Sequence, residues 1–244
     1  MNSESCIQVF GPNTNDRSPD ENYASSAQFS DQRLLLLPIR SLAGTFAWVT
    51  SPYVLRRLAR DIEDAQIELP TTTIPDVPDN ASCFITTDTS KIKINTSSPM
   101  VYLEDIDLKA QVNKDAAIWA DWIGKRVFPQ DTSWQQMLFE RICIVHDDVF
   151  NFMIDTATEI TARIKLQGES KTVHDGGLWY EEALPTETIL SGIALITPTK
   201  ASKITVDEVF KVLNGLTDKT LQFGGKATVG RGMCRLQLTA KEGA

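Results

Sequence analysis

Leu221-Gln222-Phe223-Gly224-Gly225-Lys226-Ala227-Thr228-Val229-Gly230-Arg231-Gly232 lies between a helix-like pattern over Thr205–Leu216 and a strand-like run over Met233–Leu238. Within nine residues, from Gly224 to Gly232, it holds four glycines, one lysine and one arginine. Glycine lets a backbone take positive φ or approach a ligand closely. Successive N–H groups in such a loop form an anion-binding concavity, and Lys226 and Arg231 add positive charge beside it. The spacing matches neither G-x-x-x-x-G-K-[ST] nor G-x-G-x-x-G, so a phosphodiester backbone suits the loop better than a nucleotide. A plain glycine-rich turn ahead of a final strand is the structural alternative.

Working outward, the C-terminal half reads strand, hairpin, strand, helix, glycine loop, strand. Thr161–Leu166 alternates, Gln167-Gly168-Glu169-Ser170 turns, and Lys171–His174 alternates again, which is a β-hairpin signal. The hairpin carries Arg163, Lys165 and Lys171, then Gly176-Gly177-Leu178-Trp179-Tyr180. With few large apolar residues it reads as a polar finger, with Trp179 and Tyr180 at its base. Thr188–Ile196 reads as one strand. Further upstream, Arg33–Ile39 is an apolar run consistent with a buried strand. Ser51-Pro52 supplies an N-cap and first-turn proline for a helix over Ser51–Asp64. Short strands are expected at Cys83–Thr87, Lys91–Ile94 and Met100–Leu103, and helices at Lys114–Val127 and Ser133–Arg141. The tryptophans 119, 122 and 134 read as core at helical spacing. Ile142–Val145 is a strand, with Asp147 expected to cap a helix through Met153. Residues 11–28 read as a loop.

Composition narrows the function classes. The chain has 244 residues, 42% of them hydrophobic, and a net charge of −8. No run approaches the ~20 apolar residues of a membrane span. Cys6, Cys83, Cys143 and Cys234 are scattered with no C-x-x-C pair, which reads as reduced thiols of a cytoplasmic protein. Acidic overall charge argues against nucleic acid, yet the charge is uneven. Asp61–Ala110 holds ten acidic residues against three basic ones, whereas Arg33, Arg40, Arg56, Arg57 and Arg60 crowd one segment and Lys226, Arg231 and Arg235 another. One face can therefore bind phosphates while another repels them. His146-Asp147-Asp148 at a strand end lacks the convergent ligands of a metal site, and no metal ligand set is assigned. Either His146 or His174 could act as a general base, though neither has a paired nucleophile.

Four stretches together resemble a known family. Val9-Phe10-Gly11-Pro12, Leu34–Arg40 continuing through Ser41-Leu42-Ala43-Gly44-Thr45-Phe46-Ala47-Trp48-Val49-Thr50-Ser51-Pro52, Leu178-Trp179-Tyr180-Glu181-Glu182 and Gly224–Gly232 resemble, in order, the backbone subunit of type III-B (Cmr) CRISPR effector complexes, a RAMP-superfamily protein. The resemblance spans nearly the whole chain. It implies an α+β fold: a modified ferredoxin-like, RRM-like RAMP core with insertions and a projecting β-hairpin thumb. The chain is then a single RAMP domain over 1–244, with an inserted helical and loop region at 66–140, the thumb at 158–182 and the glycine-rich loop at 222–232. The N-terminal strand and helix of the family pattern are missing, because Val9–Pro12 normally follows them. The implied partners are a CRISPR RNA guide, complementary target RNA, further copies of the chain and other effector subunits, with no membrane.

The resemblance assigns Gly224, Gly225, Lys226, Thr228, Gly230 and Arg231 to the guide RNA, and Arg163, Lys165, Lys171 and Trp179 to the thumb that wedges into the guide–target duplex. The family cuts target RNA at regular intervals with magnesium or another divalent metal, by attack of the RNA's own 2′-hydroxyl and with the help of one loop aspartate. None of Asp16, Asp20 and Asp31 matches that motif, and Asp31 matches a position just before a strand. No catalytic residue and no cofactor is therefore assigned to this chain, which is expected not to cut. The enzyme alternative is a stand-alone RAMP-type endoribonuclease using His146 or His174.

Overall fold

The computed structural model describes residues 3–12, 24–168, 172–197, 204–217 and 219–240. In chain order its elements are α1 (Ser3–Phe10), β1 (Ala27–Phe29), β2 (Arg33–Arg40), β3 (Phe46–Thr50), α2 (Pro52–Asp64), β4 (Ser82–Ile85), β5 (Lys93–Asn95), β6 (Pro99–Leu103), β7 (Ile106–Val112), α3 (Lys114–Val127), α4 (Thr132–Arg141), β8 (Ile142–Val145), α5 (Asp147–Thr156), β9 (Glu159–Leu166), β10 (Val173–Ala183), β11 (Ile189–Ser191), β12 (Ala194–Ile196), α6 (Val206–Asn214), β13 (Thr220–Gln222) and β14 (Met233–Arg235). The chain divides into two compact units. One comprises 1–33, 61–68 and 192–244, the other 34–60 and 69–191.

The larger unit is built on an eight-stranded mixed sheet of order β11-β2-β3-β8-β4-β7-β6-β5. β3 pairs with β8, and β4 with β7, in parallel; β2–β3, β4–β8, β6–β7 and β5–β6 are antiparallel. The α+β expectation holds, with a sheet wider than a four-stranded ferredoxin core, in which β8 lies on the side of β3 away from β2. Every residue of β4 and β8 is buried, which explains why Ile142–Val145 is a continuous apolar run: a strand covered on both faces has no use for alternation. Cys83 and Cys143 meet on these strands, and the neighbouring Cys83 thiol together with burial pushes the Cys143 thiol well above its ordinary pKa. Cys83, Cys143 and Cys234 are free thiols.

Helix α3 starts where the Asn113 side chain accepts the Ala116 N–H, and α4 where Asp131 accepts the N–H groups of Ser133 and Trp134. Gly124 of α3 faces Gln135 of α4, where a Cβ would stand 3.6 Å from the Gln135 backbone, at ordinary van der Waals contact. The tryptophans are structural, as the sequence reading expects. Trp119 is fully buried and donates to the Thr73 carbonyl at 3.0 Å. Trp134 stacks on Phe128, and Trp122 lies under Arg126, whose guanidinium sits 3.6 Å from its ring centroid. The cap of α5 differs from expectation. The His146 side chain accepts the Asp148 N–H, while Asp147 accepts the N–H of Tyr53 at 2.8 Å.

In the smaller unit β1 pairs with β12, and β13 with β14, both antiparallel. Val9, Ala27, Val209 and Leu213 form its buried core, with Ile196, Ile204, Val212, Leu216 and Leu238 packed around it. Helix α6 has a reciprocal capping box between Thr205 and Glu208, the arrangement that satisfies two orphan N–H donors at once. The single strand expected over Thr188–Ile196 is broken. β11 belongs to the large sheet and β12 pairs with β1, with the turn at Gly192, where a Cβ would fall 2.5 Å from the Gln32 side-chain amide.

Candidate RNA-binding surface

The glycine loop joins β13 to β14, whose register pairs Thr220 with Arg235, Leu221 with Cys234 and Gln222 with Met233. The closing strand is therefore Met233–Arg235, shorter than the expected run to Leu238. A 3-10 turn at Ala227–Val229 is bracketed by Lys226 (φ 63°) and Gly230 (φ 76°), both left-handed. Gly224 (φ 72°) and Gly232 (φ 73°) are left-handed as well. The glycines divide by what surrounds them. At Gly232 a Cβ would lie 2.0 Å from the Phe223 carbonyl oxygen, so only glycine fits. At Gly224, Gly225 and Gly230 nothing of the protein lies within 4 Å of such an atom, so those three leave their outer side open. Residues 222–230 are all exposed, Thr228 and Lys226 among them, and Arg231 is half-buried. The loop thus brings Gly224, Gly225, Lys226, Thr228, Gly230 and Arg231 onto one short, open segment of backbone.

The β9–β10 hairpin is longer than the sequence predicts and has a bulge between Val173 and Leu178. Lys171 lies outside the described residues, and so does the side chain of His174. The register puts Ile164 opposite Leu178, Ala162 opposite Tyr180 and Leu166 opposite Val173. Ile160, Ile164, Leu166, Val173, Leu178 and Tyr180 are all exposed. The finger is therefore amphipathic, which corrects the polar reading. The bulge offsets the alternation on β10, whereas on β9 Ile160, Ala162, Ile164 and Leu166 alternate with polar residues. The other face is polar: Arg163 pairs with Glu181 at 3.3 Å, and the Trp179 indole donates to the same carboxylate at 3.1 Å. Trp179 remains 43% exposed, and Lys165 is exposed nearer the tip.

In the basic segment upstream, Arg40 and Arg60 are exposed. Arg33 pairs with Asp61 at 2.5 Å, Arg56 with Asp76 at 2.9 Å, and Arg57 donates to the Leu34 carbonyl. His146, the base of the enzyme alternative, is held as a helix cap with Asp148 3.4 Å away. Asp16 and Asp20 lie outside the described residues; Asp31 is exposed just before β2. Among the described residues no three His, Cys, Asp or Glu side chains are grouped to hold a metal ion. Among the described residues no helix is long and apolar enough to cross a membrane.

Comparison with known proteins fits this picture. Residues 6–235 match the family model of the RAMP superfamily. The chain is 34% identical over 240 residues to the CRISPR system Cmr endoribonuclease Cmr4 of Pyrococcus furiosus, covering 98% of this chain and 76% of that protein. The crystal structure of oligomeric Cmr4 from the same organism superposes with a TM-score of 0.70 at 26% identity, over 95% of this chain and 76% of that one. A type III-B Cmr-beta complex bound to cognate target RNA, seen by cryo-electron microscopy, gives a TM-score of 0.62 at 17% identity, over 96% and 75% of the two chains.

Proposed function

Because the chain belongs to the RAMP superfamily, we propose that it is a backbone subunit of a type III-B (Cmr) effector complex, holding a CRISPR RNA guide and its complementary target. The observation that carries this reading is the match to Cmr4 over nearly the whole chain. Further copies of the chain and other subunits line up along the guide, and the complex works in the cytoplasm, as the reduced cysteines suggest.

The glycine loop holds the guide backbone. Peptide N–H groups and the cations Lys226 and Arg231 contact phosphates, which fixes register without reading bases. The hairpin enters the guide–target duplex. Its exposed apolar row and Trp179 offer surface on which unstacked bases are compensated, since parting a base step costs a few kcal/mol.

The test is reconstitution of this chain with its partner subunits, with and without guide RNA. A ribonucleoprotein that forms only with guide, on guides of unrelated sequence, is the expected result. RNA cutting by the chain alone, lost on His146→Ala, would establish the stand-alone nuclease instead.

A further inference from the structure

We infer that Gln222 is a positioning residue that turns the peptide groups of the glycine loop toward the RNA. The inference rests on the guide-holding reading above and names the group that prepares the loop for it. The two N–H groups of the Gln222 side-chain amide Nε2 are shared among three successive carbonyls, those of Phe223 at 3.2 Å, Gly224 at 2.8 Å and Gly225 at 3.4 Å. Every peptide described is trans. In a planar trans peptide the C=O of one residue and the N–H of the next point in opposite directions. With three carbonyls gathered on Gln222, the N–H groups of Gly224, Gly225 and Lys226 are turned to the other side of the loop.

That other side is open. Nothing of the protein lies within 4 Å of where a Cβ would stand on Gly224 or Gly225. Among the described residues neither glycine amide donates a hydrogen bond to another group. Successive N–H groups aimed at one side of a loop are the donor set of an anion nest. Gly232 completes the device. Its missing Cβ would stand 2.0 Å from the Phe223 oxygen and 3.3 Å from Gln222 Nε2, so glycine leaves the space that the gathered carbonyl and amide occupy. The donors are thereby set before the phosphate arrives, and preorganisation reduces the ordering cost of binding.

The experiment measures binding of single-stranded guide RNA to the full chain across a salt series. It compares Gln222→Met, which keeps length and removes the donor, with Lys226→Met and Gly225→Ala. Gln222→Met should bind about tenfold more weakly at every salt concentration, as expected when several hydrogen bonds lose their geometry. Its salt slope should be unchanged, because no counterion-releasing charge has been removed. Lys226→Met should flatten the slope by about 0.7 of a unit, the single-strand value per phosphate contact. Gly225→Ala, which meets no protein atom, should weaken binding several-fold and keep the melting temperature of the parent chain. It therefore probes the outward side independently of how Gln222→Met folds. Unchanged binding in Gln222→Met and Gly225→Ala, with Lys226→Met still weakened, would overturn the role of Gln222 and leave the guide-holding reading standing. Unchanged binding in all three would overturn both.

Discussion

The glycine loop and the β9–β10 hairpin are both antiparallel pairs outside the large sheet, and both are assigned here to RNA, yet they are built for opposite kinds of contact. The loop is short and exposed, and its shape comes from left-handed glycines and the amide of Gln222. Its chemistry is backbone N–H and positive charge. The hairpin is long, bulged between Val173 and Leu178, and apolar along one face, with Ile164 against Leu178 and Ala162 against Tyr180. Its chemistry is side-chain surface. The first kind of contact is indifferent to sequence and sensitive to salt. The second depends on stacking and desolvation and persists in salt. On the proposed reading, one chain thereby separates holding a strand from parting a duplex.

The largest expected effect is on the loop. Replacing both Lys226 and Arg231 by glutamate should weaken guide binding by about two orders of magnitude at low salt, with a loss that shrinks as salt rises and is the same for unrelated guide sequences. A sequence-dependent loss, seen by titrating two guides in parallel, would break the distinction between the two regions. Next is the hairpin. Trp179→Ala and Tyr180→Ala should leave guide binding intact and weaken target capture by about 1–3 kcal/mol per lost stacking surface. That loss should be nearly constant across a salt series; one that vanishes in high salt would make the hairpin a second electrostatic site.

Stability sharpens the comparison in a third way. Gly232→Ala should cost about 1–3 kcal/mol, read by denaturant unfolding, because the new methyl meets the Phe223 carbonyl and the φ of 73° disfavours it. Gly225→Ala should cost nothing measurable by the same method, since its surroundings are empty. Equal losses would mean that the loop's open side is a packing surface. The smallest effect concerns pH. Hydrogen bonds from the Thr205 backbone and hydroxyl hold the Glu208 carboxyl below the usual carboxylate range. A lowered carboxylate contributes stability above its unfolded pKa and loses it as pH falls through the folded value. Amide protection factors in α6, in the loop's own unit, should therefore fall on acidification through that window, with no matching change in the hairpin.

The sequence shows the buried parts well because burial leaves a direct imprint. The apolar runs Leu34–Ile39 and Ile142–Val145 become β2 and β8, and the helices at Pro52–Asp64 and Lys114–Val127 follow from spacing and caps. β7 is missed although Ile106, Leu108, Ala110 and Val112 alternate cleanly with polar residues. Its charged neighbours, Asp107 and Lys109, draw attention to charge over period. The break at Gly192 is not legible locally, because it depends on Gln32 and Ser30, distant in the chain. The apolar face of the hairpin can be read from the alternation of β9, but on β10 a bulge that sequence does not announce obscures it. The glycine loop is legible as chemistry from its residue types, and the part played by Gln222 is not, because an amide beside glycines looks like any polar flank until its three carbonyl partners are seen.

The most direct measurement is site-specific cross-linking from position 226 of the full chain, reconstituted with its partner subunits, guide and matched target. Cross-links to the guide strand at regularly repeated positions, the same for guides of different sequence, are predicted. Cross-links to the target strand alone, or to protein with no RNA, would contradict the account.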